Sequence, residues 1–401
     1  MTKGNIFFTS VFLAVSGSCA IGQTPGFYGL GTALGGTSGS SICLGVSPDG
    51  QAVVGRFKDI EYPYAEVGIV WTEGNGVTSL GDLPGDGFIT EAEDASNAGQ
   101  VIVGRATGPW NQYHAVYATP TAVIDIEEPN EYATRSSAYG VSGDGTVIVG
   151  FSEDPGVGTR AFRWSSVMGM TFLSGAHSTA FGVSTDGSTI VGINSSGAFR
   201  WTQETGTVTL GGFPNESGGG LAVDASADGS VVAGSSTRHL QGSTSEFTEA
   251  CIWTESNGIV GLGSLADNPV KVLLSEAAAI SGNGQVVVGQ SCDDLGYEHP
   301  FIWDAQHGMR KLGDVLVQEY GLDLANWTRM RVKGMSDDGR TIVGYGYGPS
   351  GQREGWVAVI PEPATVSFLA MGGLALRRRR SRANTAARTL SRLLTRPKGS
   401  V

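Results

Sequence analysis

The chain has 401 residues, 62 of them glycine, a hydrophobic fraction of 40% and a formal net charge of −12. That apolar content suffices for an ordinary core, so the composition does not indicate disorder. Residues 21–361 carry 16 basic against 37 acidic side chains, a surface that repels phosphate backbones and suits divalent cations or basic partners. Nucleic acid is therefore not an expected partner.

Residues 1–20 predict a signal peptide. They contain an apolar run from Ile6 to Val15, and Ser18-Cys19-Ala20 lies where a signal peptidase would cut. The mature chain would begin near Ile21. Lipidation at Cys19 is the alternative, although Ser16 stands where lipoprotein signals usually carry leucine.

One unit of sequence recurs seven times between residues 26 and 360. Its clearest copy, Ala138–Gly150, has a Ser eight residues before a Gly and an Asp-Gly turn between them. Such a turn predicts a hairpin, because Asp, Asn and Gly adopt positive φ cheaply, and the β-branched run after it favours a strand. The pairs are Ser47/Gly55, Ser96/Gly104, Ser142/Gly150, Ser184/Gly192, Ser226/Gly234, Ser281/Gly289 and Ser336/Gly344.

Two more strands follow each hairpin. The third, such as Ala161–Trp164, has large side chains two positions apart and therefore on one face. The fourth has a Leu four residues after a Gly, and Ile124 is expected to take this part in the second copy. The seventh copy has no fourth strand of its own. The segment Gly26–Gly31 has the same spacing and supplies that strand from the other end of the chain.

Repeats of 42 to 55 residues with four strands are typical of propeller blades. Because the N-terminal strand completes the last repeat, the array is expected to close into a ring, which a linear solenoid does not do. We predict an all-β, seven-bladed β-propeller of four-stranded blades over residues 26–360, closed by the N-terminal strand. A β-sandwich pair, another blade count and an open stack are the alternatives.

The C-terminal end combines three features. Pro361, Glu362 and Pro363 precede the apolar run Ala364–Leu376, which is short for a membrane-spanning helix of about 20 residues. Four arginines that would stay cytoplasmic follow, namely Arg377, Arg378, Arg379 and Arg380. The pattern predicts a transient membrane anchor over 361–380 and a basic tail over 381–401.

Two resemblances follow from these residues. The C-terminal end resembles the bacterial PEP-CTERM sorting signal, which implies export and cleavage by an exosortase-type membrane protease at or near Pro361–Pro363. The tail 381–401 departs from that pattern, since such signals end soon after the arginines. The repeats resemble the extracellular repeat named HAF, through triplets such as His114-Ala115-Val116, Arg160-Ala161-Phe162 and His299-Pro300-Phe301. That resemblance implies an exported propeller-like protein and brings no catalytic residues.

No catalytic, metal or nucleotide motif is found in the sequence. The repeated Ser and Asp are interpreted as caps of their own turns, and no cofactor is expected. Calcium in the acidic loop Asp59–Glu61 is an alternative, although the ion takes about six to eight oxygens. Cys251 replaces a Phe of the third strand and is expected to pack as an apolar residue. An odd number of cysteines (Cys43, Cys251, Cys292) prevents full pairing, and a Cys251–Cys292 disulfide is the alternative.

The loops between strands two and three and those between blades share one face, opposite the Asp-Gly turns. These loops vary most in length, and rigid scaffolds commonly carry function on such loops. Aromatic residues with acidic neighbours there suit sugar rings or a protein partner; otherwise they only close the loops onto the blades. The expected ligand-binding residues are Tyr62, Tyr64, Trp110, Tyr113, Tyr297, Tyr320, Trp327, Tyr345 and Tyr347.

The preferred hypothesis is an exported, non-enzymatic propeller that binds polysaccharide or protein at the cell surface, in the outer envelope or in the extracellular matrix. The alternative is a glycan hydrolase or lyase, in which carboxylates of the variable face would converge in a cleft. Its candidate acids are Asp59, Glu61, Glu298 and Asp323. A purely structural surface protein is the third hypothesis.

Overall fold

The computed structural model describes residues 24–34, 37–59, 66–81, 90–107, 112–126, 135–213, 219–239, 246–266, 274–324 and 326–361. These residues form a seven-bladed β-propeller of antiparallel blades, which confirms the predicted fold. Contacts divide the chain into two units, Met1–Ile360 and Pro361–Val401, and the whole propeller lies in the first. The propeller therefore needs no residue beyond position 360 to complete its sheets.

The strands follow one another blade by blade, and the first blade has an extra short strand. The N-terminal strand is β1 (Gly26–Gly29) and the first blade holds β2 (Ala33–Leu34), β3 (Thr37–Val46), β4 (Val53–Asp59), β5 (Glu66–Thr72) and β6 (Gly76–Ser79). Blade 2 holds β7 (Thr90–Ala95), β8 (Ile102–Thr107), β9 (Tyr113–Thr119) and β10 (Ala122–Asp125), with a 3-10 turn η1 (Asn97–Gly99). Blade 3 holds β11 (Arg135–Val141), β12 (Ile148–Asp154), β13 (Gly158–Ser165) and β14 (Gly169–Phe172).

The remaining blades repeat this order. Blade 4 holds β15 (Thr179–Val183), β16 (Thr189–Asn194), β17 (Gly197–Thr202) and β18 (Gly206–Thr209). Blade 5 holds β19 (Gly220–Ala225), β20 (Val231–His239), β21 (Glu246–Thr254) and β22 (Gly258–Gly261). Blade 6 holds β23 (Ser275–Ile280), β24 (Val286–Cys292), β25 (Glu298–Asp304) and β26 (Gly308–Lys311), followed by the helix α1 (Leu312–Gln318). Blade 7 holds β27 (Thr328–Met335), β28 (Thr341–Tyr347) and β29 (Arg353–Val359).

The N-terminal strand closes the ring, as predicted. Strand β1 pairs antiparallel with β29, so that Gly26 lies opposite Val359 and Gly29 opposite Trp356. The Leu30 N–H donates a hydrogen bond of 2.8 Å to the carbonyl of Gly355. The ring of Phe27 stacks on the fully buried Trp356 with 5.6 Å between centroids. The first and last segments of the propeller therefore share one sheet and one part of the core.

In the five repeats that have an Asp-Gly turn, the Ser and Asp cap their own turn, as the sequence indicated. In blade 3, the Ser142 hydroxyl donates to Asp144 Oδ1 at 2.6 Å, and the same Oδ1 accepts the N–H of Thr146 at 2.9 Å. The Ser142 oxygen also accepts the N–H of Val147 at 3.0 Å. Because the serine is fully buried, these bonds satisfy polar groups that burial would otherwise leave unpaired.

The turns of neighbouring blades are also bonded to one another around the channel mouth. The residue after each Ser takes part, as in Asn97 N–H to Gly143 O at 3.0 Å and Asp337 N–H to Pro48 O at 2.9 Å. Proline has no N–H, so Pro48 cannot donate to the turn of blade 2. At that position Asp49 Oδ2 accepts the N–H of Ala98 at 2.8 Å instead. Side-chain and backbone bonds together thus join the seven turns.

Two expectations about individual elements are corrected. In blade 2 it is Ile126, 8% exposed, whose N–H bonds to Ala115 O, whereas Ile124 is 37% exposed within β10. Ile126 therefore takes the part of the repeated Leu, because this blade's fourth strand lies two residues later than the prediction placed it. The connections between blades were predicted as loops, and the one that follows β26 begins with the helix α1.

Cys43, Cys251 and Cys292 are buried free thiols, so the alternative Cys251–Cys292 disulfide is absent. Cys251 lies opposite Gly234, the position that Phe162 and Phe199 occupy in their blades, which confirms its packing role. Burial raises its pKa to about 12. No helix in the described part of the chain is long and apolar enough to cross a membrane. The predicted signal peptide and the segment from Glu362 onward lie outside the described residues.

Candidate functional site

Four of the predicted ligand-binding residues meet in one groove between blades 6 and 7. Tyr297, Trp327, Tyr345 and Tyr347 line it, on the variable-loop face where the sequence placed them. Its volume is about 920 Å³, within the range of roughly 300–1,000 Å³ that is usual for ligand sites. We call this cleft the blade 6–7 groove.

Local structure explains why these side chains face the groove. Tyr297 ends a turn in which the N–H of Asp293 bonds to the Tyr297 carbonyl at 2.9 Å, and its ring is 65% exposed. Tyr345 and Tyr347 are two positions apart on β28 and therefore point to the same side of the sheet. Tyr347 is 40% exposed. Exposed rings of this size are available for contact with a ligand.

The other predicted residues lie elsewhere. Tyr113, in blade 2, lies beneath Arg105, whose guanidinium carbon is 4.9 Å from the ring centre. Tyr320 packs against the core beside α1, which is the loop-closing role left open as the alternative. Trp327 combines both roles, because it lines the groove and also meets Phe27 edge-on at 5.4 Å. Tyr62, Tyr64 and Trp110 are outside the described residues.

The charge around these rings differs from the expected acidic neighbours. The groove is lined by four basic side chains, Lys311, Arg329, Arg331 and Arg353, and by the two acids Glu298 and Asp314. Arg329 and Arg331 lie near the beginning of β27, and Arg353 is the first residue of β29. The sequence contains a signal for this basic lining, the two arginines in Thr328-Arg329-Met330-Arg331. The signal is incomplete, because the fold decides which strands meet at the groove.

The four basic side chains have different partners. Arg331 forms an ion pair with Glu298 across the boundary between the blades. Lys311 Nζ lies 3.2 Å from Asp293 Oδ2, which His299 Nε2 also approaches at 2.9 Å. Desolvation opposes ionisation of Asp293, but the hydrogen bonds from Lys311 and His299 prevail and lower its pKa to about 2.

Arg329 and Arg353 form no ion pair with any described residue. The Arg353 guanidinium carbon lies 4.2 Å from the centre of the Tyr345 ring, and that of Arg329 lies 5.8 Å from the centre of the Tyr347 ring. Both arginines are exposed. Their charge is therefore held against aromatic faces and open to a ligand.

The acids proposed for an enzymatic alternative do not converge within the described residues. Glu298 is in the groove but is engaged by Arg331, Asp59 ends β4 in blade 1, and Asp323 is exposed in the connection after α1. Glu61 lies outside the described part. Glycoside hydrolysis uses a pair of carboxyl groups that face one cleft. Glu298, Asp59 and Asp323 do not form such a pair.

The central channel of the propeller is a cavity separate from the blade 6–7 groove. Each inner strand bulges at the same place, and the bulged residues line the channel: Leu44, Glu93, Tyr139, Phe181, Val223, Ala278 and Lys333. Its volume of about 160 Å³ falls below the usual range for ligand sites of roughly 300–1,000 Å³. The channel is thus smaller than an ordinary ligand site.

Two channel acids have a structural role. Asp94 accepts the N–H of Ala95 at 2.8 Å and the N–H of Val141, in the next blade, at 3.0 Å. Asp224 does the same with Ala225 and, across to blade 6, with Ile280. Burial raises the pKa of Asp94 to about 7 and that of Asp224 to about 6. These carboxyls tie neighbouring blades together, which explains their presence without a ligand.

Among the described residues, no group of three or more His, Cys, Asp or Glu side chains is placed to hold a metal ion. In the acidic loop Asp59–Glu61, Asp59 is a described residue, whereas Glu61 is not. Calcium at that loop therefore stays an untested expectation.

No protein-family model matches this chain, and no curated protein does either. Solved structures are similar in fold. An oligogalacturonate lyase from Vibrio parahaemolyticus gives a TM-score of 0.50 at 13% identity, covering 85% of this chain and 98% of the other. The β-propeller domain of the Trilobed protease from Pyrococcus furiosus gives 0.50 at 13% identity, covering 80% and 95%. TolB from Acinetobacter baumannii gives 0.40 at 14% identity, covering 65% and 63%. At these identities the likeness to the two structures with a TM-score of 0.50 shows the propeller fold alone.

Proposed function

We propose that this chain is an exported propeller that binds polysaccharide without cleaving it, through the blade 6–7 groove. The observation that carries the proposal is the meeting of Tyr297, Tyr345 and Tyr347, from two blades, in a groove of about 920 Å³. Tyrosine offers a flat apolar face for a sugar ring and a hydroxyl for its polar edge. Most protein interfaces are not concave at this scale, and this favours a glycan over a protein partner.

The placement of the acids supports binding rather than hydrolysis. Glu298 is neutralised by Arg331, and neither Asp59 nor Asp323 lines the groove. The second acid of the groove, Asp314 in the first turn of α1, would thus have no free carboxylate partner among the described residues that line it. The oligogalacturonate lyase that shares this fold acts on a sugar chain, which is compatible with a carbohydrate ligand but does not transfer its activity. A lyase or hydrolase is the competing function, and an assay for new sugar ends distinguishes cleavage from binding.

Export and sorting complete the proposal. The signal peptide 1–20 and the PEP-CTERM-like segment 361–380 would bring the protein to the cell surface or the medium after cleavage by an exosortase-type protease. Intact-mass measurement of the protein recovered from outside the cells is expected to give a chain that starts near Ile21 and lacks Arg377–Arg380. A full-length chain retained in the cytoplasm would refute export.

Loss of one exposed ring is expected to weaken binding. Tyr297→Ala and Tyr347→Ala should each reduce the affinity of the propeller, residues 24–361, for the producing organism's extracellular polysaccharide by about tenfold, since a truncated aromatic contact at an interface costs more than about 1 kcal/mol. Affinity electrophoresis measures the binding, and an assay for new sugar ends runs in parallel.

Tyr113→Ala is the matched control, because Tyr113 lies in blade 2 outside the groove. If it weakens binding as much as the groove variants, the groove is not the site. Release of new reducing or unsaturated ends would replace the binding function with an enzymatic one.

A further inference from the structure

We infer that the polysaccharide bound by the blade 6–7 groove is anionic, with the carboxylates of uronic acids facing Arg329 and Arg353. This inference rests on the proposed function and names its ligand class. Four basic side chains line this one groove, although residues 21–361 as a whole carry only 16 basic against 37 acidic side chains. A local excess of positive charge on an acidic protein concentrates anions there.

Arg329 and Arg353, which form no ion pair within the described part of the chain, are suited to carboxylates. A guanidinium presents N–H donors in a planar fork that matches the two oxygens of a carboxylate. The Arg353 and Arg329 guanidinium carbons lie 4.2 Å and 5.8 Å from the centres of the Tyr345 and Tyr347 rings. Stacking leaves the edge of the fork free to donate, while Tyr297, which is 65% exposed in the same groove, offers its face to a sugar ring. One groove thus provides both contacts that a uronic acid needs.

The backbone at Arg329 is a second, independent observation. Arg329 has φ of +48°, the left-handed region that non-glycine residues rarely adopt, within an irregular stretch of β27 between Thr328 and Arg331. Such a conformation is strained for a residue with a side chain, and bulges re-aim side chains at functional sites. At this position stability alone would favour Gly or Asn. The chain has an arginine instead, and the irregular backbone directs the Arg329 side chain to the groove.

The space around Arg329 indicates a polymer rather than a single sugar. A second cavity of about 440 Å³ adjoins the groove and is lined by Asn326, Gly348, Pro349 and Gly351. Arg329 and Tyr347 line both cavities. A chain of several residues can therefore lie on either side of this arginine.

Polygalacturonate and its fully methyl-esterified form are matched probes, because they differ only at the carboxyl group of each sugar, a carboxylate in one and a neutral methyl ester in the other. We expect polygalacturonate to retard the propeller, residues 24–361, in affinity electrophoresis, with binding at least about tenfold tighter than to the ester and weakening as salt is raised. Dextran sulfate serves as the third probe and distinguishes sulfate from carboxylate.

Two substitutions locate the interaction. Arg329→Asn suits the left-handed backbone and should leave the melting temperature unchanged or raised, while binding to polygalacturonate falls about tenfold. Arg353→Gln should have a similar effect, and the double variant should bind the acidic polymer no better than the ester. Arg135→Gln, an exposed arginine paired with Glu153 in blade 3, makes the same change in net charge away from the groove and should bind normally.

The outcomes separate the two proposals. Equal binding of polygalacturonate and its ester, sensitive to Tyr347→Ala, would refute the anionic ligand and keep polysaccharide binding. Binding of neither probe, nor of the organism's own polysaccharide, would refute both. Tighter binding to dextran sulfate than to polygalacturonate, or equal losses in Arg135→Gln and Arg329→Asn, would mean that the protein attracts polyanions without recognising uronates, and would overturn the inference.

Discussion

Gly150→Ala is expected to destabilise the propeller by at least about 3 kcal/mol, a large part of the roughly 5–15 kcal/mol that holds a domain folded. Gly150 lies in the second strand of blade 3, opposite Ala138 on one side and Phe162 on the other. A Cβ at this position would be 1.9 Å from the carbonyl oxygen of Ser137 and 2.9 Å from the Cα of Ala138. Both are backbone atoms of the inner strand, so relief requires that strand to move.

The same reason explains why every repeat has glycine here. A Cβ would lie between 1.8 and 2.1 Å from an inner-strand carbonyl oxygen at Gly55, Gly104, Gly150, Gly192, Gly234, Gly289 and Gly344. At Gly289 and Gly344 it would also press on the rings of Phe301 and Trp356. Chemical denaturation of the propeller measures the effect.

Gly175→Ala is the control, because a Cβ on this exposed glycine meets nothing within 4 Å and its φ is not positive. It should change stability by less than about 0.5 kcal/mol. If Gly150→Ala and Gly175→Ala unfold at the same denaturant concentration, the close approach is not what fixes glycine in the repeat.

Deleting the closing strand, residues 24–30, is expected to have the second large effect, a loss of at least about 5 kcal/mol. The deletion removes Phe27 from the face of Trp356 and removes the buried Leu30. It also leaves the β29 edge without its partner over Gly26–Gly29, and an unpaired edge promotes aggregation. Thermal unfolding and light scattering measure the two consequences.

A circular permutant tests whether pairing or connectivity matters. Residues 24–30 are moved behind Ile360, joined by a turn of the length that links Ser165 to its partner Gly169 in blade 3, so that β2 stays attached to β3. The strand then reaches β29 as an ordinary hairpin, and the stability lost by deletion should return. If the permutant is as unstable as the deletion, closure by β1 is not the stabilising feature.

The repeat pattern predicted nearly all of the fold. Each blade is built from local signals, namely a Ser-x-Asp-Gly turn, a β-branched strand and a Gly-to-Leu spacing, and these residues act on neighbours close in sequence. Counting strands also predicted the closure, because an unmatched N-terminal strand and an incomplete last repeat had one way to combine. Where a copy diverged, as with Ile124 and Ile126 in blade 2, the local signal was too weak to place the strand.

The candidate site was predicted only in part. The sequence placed Tyr297, Tyr345 and Tyr347 on the variable face, since alternating strands fix which end of a blade each loop occupies. It did not show that Arg353 and Arg329 lie over those rings, nor that Glu298 is neutralised by Arg331. The Glu298–Arg331 contact joins two blades, whereas the two arginine–tyrosine contacts join neighbouring strands of blade 7. All three depend on side-chain placement that the repeat pattern does not specify. The sequence by itself thus determined the blades and their order. The tertiary structure decided the charge of the groove, because that charge is the sum of side chains from several strands of blades 6 and 7 that packing brings together.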